Sequence, residues 1–181
     1  MARQQTDIPD LESRLRNPET VREAFGELIA EYTEPLYWQI RRMVPSHDDA
    51  NDLLQNTFLK AWSNIENFRG EARLSTWLHK IAINESLTFL EREKRRGTVS
   101  LDDAGADAIA DSDFDGDELA ANLRRAVDTL PEKQRLVFNM KYFDDMKYED
   151  ISNILGTSVG ALKASFHAAT KKIEQYFARL V

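Results

Sequence analysis

The chain has no cysteine, which removes disulfide frameworks, thiolate metal sites and cysteine nucleophiles together. Histidine is scarce, at 3 in 181 residues, so a metal site would need histidine and carboxylates brought together, and no metal or other cofactor is expected. With 7 glycines and 5 prolines the composition is neither fibrous nor low-complexity. No apolar run approaches the roughly 18 residues of a membrane span, and Arg3, Asp7, Asp10, Glu12, Arg14 and Arg16 crowd the region where a signal peptide would be apolar. A cytoplasmic protein without membrane insertion is expected. What is present, 42% hydrophobic and 9% aromatic residues, suffices for packed cores.

The net charge of −7 argues against a nucleic-acid binder until it is divided along the chain. Residues 1–68 carry −5, residues 69–96 carry +3, residues 97–118 carry −8 with no basic residue, and residues 119–181 carry +3. Two mildly basic blocks are thus separated by a wholly acidic stretch, and the global balance hides both.

Apolar periodicity is helical throughout, and no convincing strand is seen. Residues 21–43 read as two consecutive helices broken at Pro35. Ser46 followed by Asp49 resembles a capping box opening a helix of about 18 residues that runs to Trp62. After a loop near Asn67, residues 74–95 are apolar on two sides (Leu74, Leu78, Ile81 and Ile83, Leu87, Leu90), so this helix should lie between two neighbours, with a third, polar face. Residues 97–117 read as a mobile linker. Helices are expected again over 119–129, 132–143 after Pro131, 148–155 and 158–178. The expected fold is all-α, two small helical domains joined by a flexible acidic linker. The divisions are a tail over 1–20, a first domain over 21–96, the linker over 97–118 and a second domain over 119–181.

Two stretches carry chemistry. Residues 148–178, with Gly156 in the turn, have the spacing of a helix-turn-helix. On its second helix Gly160, Lys163, Ala164, His167 and Lys171 share an outer face. Lys163 and His167 can reach base edges or phosphates, while Lys171 and Lys172 suit backbone contacts. The competing description is a helical hairpin with a solvated lysine face. In the first domain, Trp77, Lys80, Asn84, Thr88 and Arg95 form a stripe preceded by Phe68, Arg69 and Arg73. Aromatic, amide and cationic groups in alternation suit single-stranded nucleic acid. Alone, Trp77 fits a core position better than a stacking one.

Together the two stretches identify a family. The run Asp52, Leu53, Leu54, Gln55, Asn56, Thr57, Phe58, Leu59, Lys60, Ala61, Trp62, followed by Ser75, Thr76, Trp77, Leu78, His79, Lys80, Ile81, Ala82, Ile83, Asn84, resembles region two of extracytoplasmic-function (ECF) sigma factors. Leu130, Pro131, Glu132, Lys133, Gln134, Arg135, then Tyr148, Glu149, Asp150, Ile151 and Ser158, Val159, Gly160, resemble their region four. The resemblance implies a non-enzymatic initiation subunit of bacterial RNA polymerase, with no catalytic residue. It implies that Asp52, Gln55, Asn56 and Lys60 dock on the β′ clamp helices, with Phe58 and Trp62 on the core side, and that the β flap is a further part of the polymerase partner. Phe68, Arg69, Arg73, Trp77, Lys80, Asn84 and Arg95 would bind minus-ten DNA. Ser158, Gly160, Lys163, Ser165, His167, Lys171 and Lys172 would bind minus-thirty-five DNA. The acidic linker would thread the polymerase channel, and an anti-sigma factor is an expected partner. Asn56 stands where the family usually has a carboxylate, and Ala164, Ser165, Ala168 and Thr170 replace positions often filled by Ser, Arg or other polar residues. Docking contacts and promoter preference should differ accordingly.

Two other classes compete. A metal-dependent hydrolase would start from His47, Asp48 and Asp49, but His79 and His167 sit inside the two DNA-facing segments and give it no partners. A stand-alone helix-turn-helix regulator would leave the first domain unexplained.

Overall fold

The computed structural model describes residues 8–70, 73–97 and 118–180. Among them lie the helices α1 (Ile8–Leu15), α2 (Val21–Arg41), α3 (His47–Ser63), α4 (Leu74–Arg96), α5 (Glu118–Asp128), α6 (Glu132–Phe138), α7 (Tyr148–Leu155) and α8 (Val159–Ala178), with no strand. The expected linker lies outside the described residues apart from its ends, Gly97 and Glu118.

The first domain is built on α2, whose buried face (Ala24, Phe25, Leu28, Tyr32, Leu36, Ile40) packs against α3 and α4. Pro35 does not divide this helix. Its ring removes the N–H that would bond the Glu31 carbonyl, but Glu31 and Pro35 are both exposed, so water can serve that carbonyl while the buried face holds the helix together. Arg41, itself 7% exposed, donates from Nη1 to the carbonyls of Val44 and Pro45, each at 3.2 Å, which satisfies the chain as it leaves α2. Ser46 caps α3 as its spacing predicts. Its Oγ accepts from the Asp49 N–H at 3.0 Å and donates to Asp49 Oδ2 at 2.6 Å, with Asp48 and Asp49 favourably placed in the first turn.

The segment expected as an N-terminal tail contains α1. Leu11 and Leu15, 1% and 2% exposed, join the first core. Arg14 fixes α1 to α2 by donating from Nη1 and Nη2 to the two carboxylate oxygens of Glu27, at 2.9 and 2.7 Å. Two short apolar anchors in eight residues are too weak a period to register in sequence; burial against α2 supplies what propensity does not.

In the second domain Pro131 precedes α6. The helix expected to run to Phe143 changes at Asn139 into a π-helical turn, Asn139–Phe143, closed by the Asp144 N–H on the Asn139 carbonyl. The extra residue rotates Phe143 and Asp144 out of the α-helical phase. Gly156 ends α7 at φ +64°, a left-handed conformation that costs glycine least, and Ser158 Oγ caps α8 by accepting from the Ala161 N–H.

The two domains touch. The two apolar sides of α4 do have different neighbours: Leu74, Leu78 and Ala82 belong to the first core, whereas Ile83, with Leu87 and Met43 beside it, joins Val137, Met140, Met146, Ile151 and Leu162 of the second domain. Leu90, expected with the second set, packs on the first core. A third cluster, Ala126, Val127, Leu130, Phe138, Ala169 and Ile173, closes the second domain on itself.

Candidate nucleic-acid and polymerase surfaces

On α4 the polar face predicted for nucleic acid is open. Lys80, Asn84, Thr88 and Arg95 are exposed, and Arg69 and Arg73 stand exposed before the helix. Trp77 is half-buried, its ring 5.2 Å from that of Phe68. Phe68 is 4% exposed and belongs to the core. Its place in the DNA-facing stripe is therefore corrected: it supports Trp77 from below. Sequence alone cannot separate these two rings, since each lies in a short aromatic and basic stretch. The last turn of α4 carries Lys94, Arg95 and Arg96, cations that also complement the helix C-terminus.

His79 is also displaced from the nucleic-acid face. Its Nδ1 donates to Gln39 Oε1 at 2.9 Å, Gln39 Nε2 donates to Asp144 Oδ2 at 2.9 Å, and Arg42 Nη2 donates to Asp144 Oδ1. Burial lowers the His79 pKa; nearby Asp144 acts in the opposite sense and Arg42 in the same sense. The Asp144 side chain is 4% exposed, and the Arg42 guanidinium lies 4.9 Å from the centroid of the Phe143 ring. This network ties α2 and α4 to the π-helical turn and belongs to the contact between the domains.

On α8, Ser158, Gly160, Lys163, His167, Lys171 and Lys172 are exposed and Ser165 is half-buried. Leu162, Ala169 and Ile173 form the buried side. Lys163 Nζ lies 5.7 Å from the centroid of the Tyr148 ring, a weak cation–π contact that orients its stem across the turn.

On α3, Asp52, Gln55, Asn56 and Lys60 are exposed along one stripe, while Phe58 is buried. Lys60 Nζ is paired with Glu85 Oε1 of α4. Trp62, expected on the core side, is instead 39% exposed with its ring edge-on to Phe25 at 4.9 Å. Leu59, 64% exposed, is a surface residue that the reading of the sequence missed. A leucine suggests core, but its phase, three after Asn56 and seven after Asp52, puts it on the polar stripe. In the second domain Leu123, Phe138, Tyr142, Phe166, Ile173 and Phe177 line an open apolar groove of about 550 Å³.

The hydrolase reading loses its residues to structural roles. His47 is bonded through Nδ1 to the Tyr37 hydroxyl at 2.6 Å and through Nε2 to the Asn51 amide at 2.9 Å, and Asp49 serves the α3 cap. Among the described residues no group of three or more His, Asp or Glu side chains is arranged to hold a metal ion.

Two helical domains in this order, one with an exposed cationic and amide stripe and the other a helix-turn-helix, have the build of a nucleic-acid-binding protein. Residues 28–96 match the family Sigma-70 region 2 and residues 120–173 match Sigma-70, region 4. The RNA polymerase sigma-H factor of Pseudomonas aeruginosa is 30% identical over 164 residues, covering 84% of this chain and 85% of that protein. The ECF RNA polymerase sigma-E factor of Escherichia coli K12 is 28% identical over 167 residues, covering 83% and 85%. Among solved structures, the sigma factor RpoE of Bartonella quintana, in complex with the anti-sigma factor NepR, superposes with a TM-score of 0.71 at 22% identity, covering 85% of this chain and 96% of that one. CnrH in complex with the cytosolic domain of CnrY gives 0.67 at 21% identity, covering 95% and 97%. The chain belongs to the ECF sigma factors of the sigma-70 family: an initiation factor that binds RNA polymerase core and promoter DNA, and not an enzyme. Among the described residues no helix is long and apolar enough to cross a membrane.

Proposed function

We propose that the exposed stripe of α4 and its preceding loop hold the melted minus-ten element, while the outer face of α8 reads the minus-thirty-five duplex. The observation that carries this reading is that Lys80 and Asn84 share an open face while the apolar sides of α4 are buried in two cores. Their amide and ammonium groups are therefore available to an unpaired base and its phosphates. Trp77, half-buried on Phe68, offers a fixed ring edge beside them, and Arg69, Arg73 and Arg95 extend the cationic track.

Asp52, Gln55, Asn56 and the missed Leu59 form the docking stripe for the β′ clamp helices, with Lys60 contributing once exchanged from Glu85. The apolar groove of the second domain is the seat for the β flap. The protein acts in the cytoplasm, where its polymerase is. An anti-sigma factor is a partner, of the kind that NepR is to RpoE in the solved complex.

In mechanism, polymerase performs the chemistry and this chain supplies binding energy. Capture of a flipped base on α4 stabilises the open over the closed promoter, repaying the unstacking cost of a few kcal/mol. Asn84→Ala in reconstituted holoenzyme should therefore reduce permanganate reactivity at the minus-ten element more than it reduces initial promoter binding. Equal loss at both steps, unrelieved by a pre-melted template, would give Asn84 a folding role instead.

A further inference from the structure

The first turn of α4 is preceded by Arg73, whose side chain makes no capping hydrogen bond. The Leu74 N–H is served from a distance of 62 residues: Glu12 Oε1 on α1 accepts it at 3.1 Å. One residue past the end of α1, Arg16 is exposed and donates from Nε back to the Glu12 carbonyl at 3.2 Å. Its guanidinium lies beside the loop before α4, so that a methyl group placed on Gly70 would stand 3.4 Å from Arg16 Nη1. Gly70 has φ +73°, a conformation that glycine adopts at low cost. α1 is itself immobilised by Leu11 and Leu15 in the core and by the Arg14–Glu27 pair. Both matched family segments lie outside it, the first starting at residue 28.

From this geometry we infer that α1 and the turn after it are part of the minus-ten reading surface: Glu12 is a positioning residue that fixes the start of α4, and Arg16, beside Gly70, is a phosphate contact added to Arg69 and Arg73. The cap matters to function because the stripe through Lys80 and Asn84 is positioned by the first turn of α4. A carboxylate accepting a backbone N–H at a helix start both satisfies an orphan donor and complements the helix dipole. Among the described residues only the Nε of Arg16 is hydrogen-bonded, to the Glu12 carbonyl, so its Nη groups can be offered to a phosphate. This inference rests on the assignment of α4 to minus-ten DNA.

The test uses full-length chain with core polymerase, on duplex promoter and on a fork template unpaired over the minus-ten element. Arg16→Ala should weaken fork binding about 3- to 10-fold and lower the logarithmic salt slope by about 1, with Arg16→Lys keeping the slope. Glu12→Ala should lower open-complex formation on duplex promoter, read by permanganate, about 3- to 10-fold, and Glu12→Gln should recover at least half of it because its carbonyl oxygen still accepts the Leu74 N–H. An unchanged affinity and slope for Arg16→Ala, or a Glu12→Gln variant as impaired as Glu12→Ala, would overturn the inference. Lys80→Ala on the same fork separates the two levels. If Lys80→Ala weakens binding and the α1 variants do not, only the role of α1 falls; if Lys80→Ala is equally silent, the assignment of α4 falls and the role of α1 with it.

Discussion

At the residue scale, the cations of α8 stand on its solvent side. Lys163, His167, Lys171 and Lys172 are exposed on α8 as the wheel requires. In the proposed reading, position along the helix separates their tasks: Lys163→Ala should cost about 1–3 kcal/mol on the preferred sequence and relax preference at one or two base pairs. Lys172→Ala should weaken all sequences alike and reduce the salt slope by about 1. A promoter-variant panel measured with both proteins checks this, and a uniform loss for Lys163→Ala would make it a phosphate contact. Asp128 could not be foreseen. It sits in the last turn of α5, where a carboxylate opposes the helix dipole, and burial raises its pKa to about 6 despite Arg135 and Arg124. The folded state then holds a proton that the unfolded chain releases from about pH 4, so stability falls as pH rises from about 4 to about 6 and stays lowered above that. Asp128→Asn should flatten this window and raise the melting temperature at pH 7, which thermal melts across the range will show.

At the element scale, caps and periods did most of the work. Ser46 and Asp49 open α3 as their spacing indicates, and Ser46→Ala should cost about 0.5–2 kcal/mol in urea unfolding monitored by circular dichroism, with the slope unchanged. Pro35 misled because proline is read as a break without regard to the side of the helix it occupies. On the exposed face of a 21-residue helix its cost is borne by packing elsewhere. The π-helical turn misled for the opposite reason: nothing in the run from Asn139 to Phe143 departs from an α-helical pattern, and the extra residue is dictated by where Phe143 and Asp144 must point.

At the scale of the whole molecule, the domains are joined by an apolar cluster and by the Asp144 network, whose bonds to Gln39 and Arg42 span 105 and 102 residues. The contact leaves the polar face of α4 and the outer face of α8 open but fixes their separation. Asp144→Ala removes the acceptor for both Gln39 and Arg42 and should loosen the docked arrangement, raising the radius of gyration of the free chain in small-angle scattering. An unchanged profile would assign the contact to the Ile83, Met140 and Leu162 cluster alone. The sequence by itself determined the all-α character, the helix-turn-helix, the caps, the open stripes of α4 and α8 and the division of charge, because each is written in short-range period and side-chain chemistry. Only the tertiary structure decided that α1 belongs to the core, that Phe68 lies under Trp77 and that His79 bonds Gln39 across to Asp144. Periodicity tells which face of a helix is apolar, but the partner of that face is chosen by contacts between residues far apart in the chain.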